Sequence, residues 1–258
     1  MLLAQQFLHL VEIMARLRAP DGCPWDREQT HQSLRQYLLE ETYEVLETID
    51  QEKYEELRQE LGDLLLQVIF HAQIAAEQGR FTIAEVIAEI SNKLIRRHPH
   101  VFGDVKVNSA TEQSALWEKL KKAEGKNSVL DGVPAALPAL QRAQRLQQKA
   151  GTIGFEWENL EQVLQKFESE LLELAEARDT GDNHKVVDEF GDVLFAFVNI
   201  GRWLNLSAED ALRQACEKFS RRFRLVEERA QASETDAAAP TLEQWEIWWQ
   251  EAKAQVQS

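Results

Sequence analysis

Eight acidic residues fall into two matched sets: Glu41, Glu44, Glu60 and Asp63, then Glu170, Glu173, Glu189 and Asp192. Each set reads ExxE followed by ExxD, with nineteen residues from the first Glu to the third. Residues three apart share a helix face. Two such pairs on antiparallel neighbouring helices therefore point four carboxylates into one small volume, where they repel one another. A hard divalent cation relieves that repulsion. Mg²⁺ takes oxygen ligands and keeps waters that give way to substrate phosphates. A lone ExxE is most simply a solvated acidic face. Duplication at one spacing argues for metal sites, because each copy also has a Gly before the Asp (Gly62, Gly191) and an apolar run after it. Gly costs a helix about 1 kcal/mol relative to Ala, so its recurrence predicts close packing of a neighbouring backbone.

Cations and tryptophans recur in the same order. Lys93 with Arg96 and Arg97 is matched by Lys218 with Arg221 and Arg222, both KxxRR. Trp117 with Lys121 is matched by Trp249 with Lys253, both at i,i+4. Singly these read as salt bridges and a core Trp. As a repeated set they are candidates for phosphate oxygens and for stacking a base.

The elements that must position these groups are helices. Six Pro and 11 Gly in 258 residues, with 44% hydrophobic residues, leave a helix-rich composition able to bury a core. Apolar periodicity predicts helices over 2–18, 33–50, 53–78, 82–97 and 111–124, then 135–150, 159–179, 184–204, 208–231 and 241–256. Thr82 and Glu85 form a capping-box pattern, Ser207 is a candidate N-cap, and Pro99 is expected to close the fourth helix. Gly125 to Pro134 reads as a linker. The fold class is therefore all-α, with two tandem helical-bundle repeats: an N-terminal domain over 1–128 and a C-terminal domain over 129–258.

A net charge of −15 argues against nucleic acid as a partner. Two cysteines, Cys23 and Cys216, indicate no disulfide framework and fit a reducing cytoplasm. Neither a signal peptide nor a membrane span is legible. The six histidines are scattered, and His98 and His100 around Pro99 read as bracing a turn. A di-iron carboxylate bundle would want ExxH on paired helices, and both carboxylate helix pairs carry ExxE and ExxD instead. A non-catalytic acidic interaction module is the remaining alternative, and it leaves the matched cations and tryptophans without a role.

Glu40-Glu41-x-x-Glu44 with Glu60-x-x-Asp63 resembles the EExxE…ExxD signature of the all-α nucleoside triphosphate pyrophosphohydrolases. The tandem arrangement resembles their MazG family. So do Cys23-Pro24-Trp25-Asp26 and the run Arg96-Arg97-His98-Pro99-His100-Val101-Phe102. The resemblance covers essentially the whole chain. It implies a helical-bundle homodimer and Mg²⁺-dependent hydrolysis of NTP or dNTP to the monophosphate and pyrophosphate, with Mn²⁺ as a substitute metal and a house-cleaning role. It implies that both carboxylate sets are metal ligands and that Lys218, Arg222, Trp249 and Lys253 contact nucleotide, with Lys93, Arg97, Trp117 and Lys121 as weaker first-half counterparts. The second half departs from the signature at Ser169, where a second Glu is expected, a difference that bears on base contact or water position.

The halves also differ in charge beside the carboxylates. Lys166 and Lys185 stand four residues before Glu170 and Glu189, where the first half has Tyr37 and Glu56. Both lysines can lie on the carboxylate face and meet a triphosphate. The C-terminal half is expected to be the better catalyst, with Glu170, Glu173, Glu189 and Asp192 as its catalytic set. A carboxylate at the edge of that set, Glu173 or Glu170, would orient or deprotonate the attacking water.

Overall fold

The computed structural model describes residues 2–105, 128–232 and 240–256. Every regular element among them is a helix. The chain divides into two compact units, Met1–Ser109 and Ala110–Ser258. The predicted helix over 111–124, with Trp117 and Lys121, lies outside the described residues, as do most of the residues leading to the expected division at 128/129.

The first unit holds α1 (Leu3–Leu17), α2 (Pro24–Glu28), α3 (Arg35–Asp50), α4 (Tyr54–Glu77), α5 (Ile83–Arg97) and α6 (Pro99–Phe102). Helices α3 and α4 pack as an antiparallel pair, with α1 and α5 against α4. A three-residue turn, with Glu52 at φ 55°, folds α3 back onto α4. Met14, Leu34, Ile69, Phe70 and Ile74 form the buried core, one apolar stripe from each of α1 and α4 closed by the residue before α3. Thr82 and Glu85 make the expected capping box: the Thr82 amide donates to Glu85 Oε2 at 2.8 Å, and the Glu85 amide donates to Thr82 Oγ1. Two short helices, α2 and α6, stand where no helix was expected. Each opens on a proline, which suits the first helical position, where no amide donor is needed. Pro99 thus closes α5 and starts α6. His98 braces this junction, its Nδ1 lying 2.7 Å from the Leu94 carbonyl oxygen.

The second unit holds α7 (Ala139–Gly151), α8 (Leu160–Thr180), α9 (Asn183–Trp203), α10 (Ala208–Ala232) and α11 (Leu242–Gln255). Helix α7 starts later than the expected 135, because Pro138 occupies its N-cap. Helices α8 and α9 repeat the α3–α4 hairpin through a tighter turn. Gly181 takes the left-handed conformation at φ 72°, which glycine adopts without a Cβ penalty. Asp182 then caps α9 by accepting from the His184 amide at 3.0 Å. Helix α7 packs on α9 and α10, and α11 packs on α10. Val163, Val198 and Val226 are the largest fully buried apolar side chains described in this unit. No helix among the described residues is long and apolar enough to cross a membrane.

Candidate active site

The hairpins bring the carboxylates together in both units. In the second, Glu170 and Glu173 on α8 and Glu189 on α9 each place a ligand oxygen within 4.8 Å of the others. Asp192, one turn beyond Glu189, faces the same charges. Burial, then the neighbouring Glu173 and Asp192, pushes the Glu189 carboxyl above its usual range. Burial, then Glu170, does the same to Asp192. Glu170 is the buried member, only 6% exposed. Lys166 offsets its charge: Nζ lies 2.6 Å from Glu170 Oε1 and 3.8 Å from Glu173 Oε1. That contact holds the ammonium pKa above its ordinary value. Ser169, the departure from the family signature, donates its hydroxyl to Glu173 Oε1 at 2.8 Å. The donor set is all oxygen, closely spaced and crowded with like charge, which fits a hard divalent cation.

A cavity of about 360 Å³ opens beside this cluster. Its walls combine Lys166, Glu170 and Asp192 with the rings of Phe155, Trp157 and Phe195. Size and lining suit a small molecule with one flat apolar end and one charged end. Glu156, Asn199 and Arg202 also line it. Arg202 grips Glu156 with two parallel bonds of 2.6 Å each, and its Nε donates to Asn199 Oδ1 at 2.8 Å. Trp203 Nε1 and the Trp157 amide add bonds to Glu156 at 3.2 and 2.9 Å. This network, led by Arg202, holds the Glu156 carboxyl below its usual range.

The first unit keeps the carboxylates and sets aromatic rings where the second has polar cavity residues. Glu41, Glu60 and Asp63 lie within 4.8 Å of one another, and Glu44 reaches Glu41 and Glu60 electrostatically. Burial first, then this mutual repulsion, raises both the Glu41 and the Glu60 carboxyl. In the register that sets Glu41 on Glu170, Tyr37 stands for Lys166 and Phe70 for Asn199. Trp25 meets both rings edge-on, at 5.7 Å from Tyr37 and 6.5 Å from Phe70. Phe70 is part of the core, only 3% exposed.

Two expectations change. A Cβ added at Gly62 or Gly191 would meet nothing within 4 Å, so neither glycine marks a close backbone approach among the described residues. Both sit on helix faces left open within their own unit, beside exposed apolar residues such as Leu61, Leu65, Phe190 and Leu194. The expected cations and Trp also divide. Lys166 meets the carboxylates, whereas Lys185 is exposed and forms no ion pair with a described carboxylate. Lys218, Arg222, Trp249 and Lys253 lie on α10 and α11 and do not line the cavity. Arg222 donates to the Val256 carbonyl at 3.1 Å. Trp249 packs on Phe219 at 5.2 Å, with Lys253 Nζ 5.9 Å from its ring centre. Lys93 and Arg97 lie on α5 in the first unit.

Sequence reading missed Phe155, Glu156, Trp157, Asn199 and Arg202. The signal available was the segment Gly154-Phe155-Glu156-Trp157, two exposed-length aromatics in a glycine-marked turn. The one Glu-x-x-His spacing, Glu28 to His31, straddles the end of α2. His31 there stacks on His71, with the two Nδ1 atoms 2.8 Å apart, rather than joining a carboxylate cluster.

Comparison with known proteins agrees with this duplicated geometry. The model of the MazG nucleotide pyrophosphohydrolase domain matches residues 29–102 and again 158–226, each match spanning one carboxylate hairpin. The nucleoside triphosphate pyrophosphohydrolase/pyrophosphatase MazG of Thermotoga maritima is 46% identical over 96% of this chain and 95% of its own length. The nucleoside triphosphate pyrophosphohydrolase of Escherichia coli K12 is 47% identical over 97% of this chain and 98% of its own. A nucleoside triphosphate pyrophosphohydrolase of Mycobacterium tuberculosis is 44% identical over 58% of this chain and 46% of its own. With both hairpins matched and likeness running nearly end to end, the chain belongs to the MazG nucleotide pyrophosphohydrolase family.

Proposed function

We propose that the C-terminal unit hydrolyses nucleoside triphosphates, NTP or dNTP, to the monophosphate and pyrophosphate in a Mg²⁺-dependent reaction, with Mn²⁺ as a substitute, in a house-cleaning or pool-regulating role. The observation that carries this reading is the juxtaposition of Glu170, Asp192 and Lys166 with an aromatic cavity of about 360 Å³. The cavity takes the base and the carboxylate end takes the phosphates.

Glu170, Glu173, Glu189 and Asp192 are the residues that would hold the metal. Bound there, Mg²⁺ would neutralise triphosphate charge and lower the pKa of a coordinated water. The chain supplies the rest. Phe155 and Trp157 hold the base and fix the direction of the triphosphate. Lys166, already on Glu170, transfers its ammonium to phosphate oxygens when the substrate enters. Lys185, exposed one turn before Glu189, and Lys218 and Arg222 on α10 are the further cations this reading assigns to phosphate. Trp249 and Lys253 pack on one another and remain outer contacts. Glu173, the exposed member steadied by Ser169, orients or deprotonates the attacking water. The first unit's carboxylates retain a metal-binding geometry, and its aromatic filling makes it the weaker half.

The same reading includes a homodimer. The apolar residues beside Gly62 and Gly191 are exposed in a single chain, and a second copy is the partner the family resemblance supplies. Light scattering at micromolar concentration reads the mass directly.

The functional test is pyrophosphate release from a panel of natural and modified NTPs and dNTPs, with and without Mg²⁺. Turnover that vanishes on chelation and returns with Mg²⁺ or Mn²⁺ is the expected result. No release from any triphosphate overturns the reading.

A further inference from the structure

We propose that Asn199 holds the base in the C-terminal cavity by presenting a hydrogen-bond donor whose direction Arg202 and Glu156 fix. The inference rests on the nucleotide reading of that cavity and goes beyond it.

An asparagine amide offers an oxygen acceptor on one side and two N–H donors on the other, and a free amide can present either. Asn199 is not free to choose. Arg202 Nε, which can only donate, lies 2.8 Å from Asn199 Oδ1. Turning the amide over would set two donors against each other. Arg202 cannot swing away, because its two remaining nitrogens bind Glu156 at 2.6 Å each. Glu156 is itself held by Trp203 Nε1 and the Trp157 amide. The clamp is largely shielded from solvent, with Arg202 14% and Glu156 29% exposed. A fork-to-fork pair of this kind is strong and directional.

The consequence is a polarity. With its oxygen turned to Arg202, Asn199 keeps both N–H bonds of Nδ2 for a molecule in the cavity that it lines. The group it recognises is an acceptor on the base edge, a carbonyl oxygen or an unprotonated ring nitrogen. The register position of Asn199 is held in the first unit by the core ring of Phe70. The polar reader therefore occurs in the unit that has the cavity. In this arrangement Asn199 touches substrate, and Arg202 and Glu156 are positioning residues.

The test is Asn199→Asp, which keeps an acceptor for Arg202 and replaces the donor with a second acceptor. A base acceptor would then face an acceptor. Steady-state pyrophosphate release is measured on ATP, GTP, CTP and UTP, and on ribose 5′-triphosphate, which has no base. The expected result is a KM rise of about 10-fold or more on the natural triphosphates, a kcat within about 3-fold, and no change on ribose 5′-triphosphate. Arg202→Met, which releases the amide, should raise KM on the same substrates and again spare ribose 5′-triphosphate. Unchanged KM values for Asn199→Asp, with the variant folded by circular dichroism, overturn the inference while leaving the nucleotide reading intact. An equal loss on ribose 5′-triphosphate overturns it too, since the effect would not lie at the base. Should Asn199→Asp fail to fold, Asn199→Ser takes its place under the same criteria. Failure of the unaltered chain on every triphosphate would instead sink the nucleotide reading, and this inference with it.

Discussion

Lys166 places its ammonium 2.6 Å from Glu170, the most buried carboxylate of the C-terminal cluster. A lysine in that position does the work of a counter-ion. On the proposed reading it would yield some of that contact to a divalent cation and would then meet phosphate.

Lys166→Met separates those two duties. The substitution removes a competing cation, so affinity for Mn²⁺ at the cluster should hold or rise. Activity should fall by about 10–100-fold in kcat/KM, since one charge-assisted contact to phosphate is worth roughly 1.5–3 kcal/mol. Calorimetric metal titration and steady-state kinetics on the same preparation check both halves. Loss of metal binding in step with activity would show that Lys166 only braces Glu170.

Paired substitutions rank the two clusters. Glu173→Ala is expected to abolish nearly all pyrophosphate release, and Glu44→Ala to leave most of it. The reverse pattern would assign catalysis to the first unit and refute the role given to its aromatic filling.

Glu156→Ala should destabilise the C-terminal unit by about 1.5–3 kcal/mol, because it strips a shielded guanidinium of its carboxylate. Urea unfolding followed by tryptophan fluorescence measures the loss. The pH dependence has a fixed sign. The folded Glu156 carboxyl lies below its ordinary value of 4.5, so its stabilisation is complete above that value. It is lost as the pH falls from there through the folded pKa. Glu77, lowered by Arg18 in the first unit, contributes with the same sign.

His31 and His71 predict a second acid-sensitive point at higher pH. Burial, then the neighbouring His31, holds the His71 pKa below 6.5. The unfolded chain therefore binds a proton that the folded chain resists, and stability falls as pH drops below about 6.5. The melting temperature should decline between about pH 6.5 and 5. His71→Phe, which preserves a stacked ring against His31, should flatten that decline. An unchanged slope in the variant would clear the pair of responsibility.

The hairpins were legible because a 3.6-residue period and an ExxE–ExxD spacing are local. Placing Glu41, Glu60 and Asp63 together, or Glu170, Glu173 and Glu189, required only that two adjacent helices run antiparallel. The cavity was not legible. Two of its rings come from the turn after α7, its polar reader from the far end of α9, and its clamp joins Glu156 to Arg202 across more than forty residues. No period links such positions. Trp249 carried a stronger motif than Trp157, yet the first packs on Phe219 and the second lines the cavity. Gly62 and Gly191 misled for a related reason: a recurring glycine announces open space or close contact equally well, and only the packing distinguishes them.

Phe70 makes the difference between the two units costly to remove. Its ring packs in the core with Met14, Leu34 and Ile69, so the first unit's stability rests on atoms that stand where the second unit has Asn199. Installing the second unit's residues by Phe70→Asn and Tyr37→Lys would remove a buried aromatic at a cost of about 3–5 kcal/mol, a large share of the stability of an ordinary domain. Giving this half the second unit's residues at these positions therefore calls for stabilising changes elsewhere in the unit.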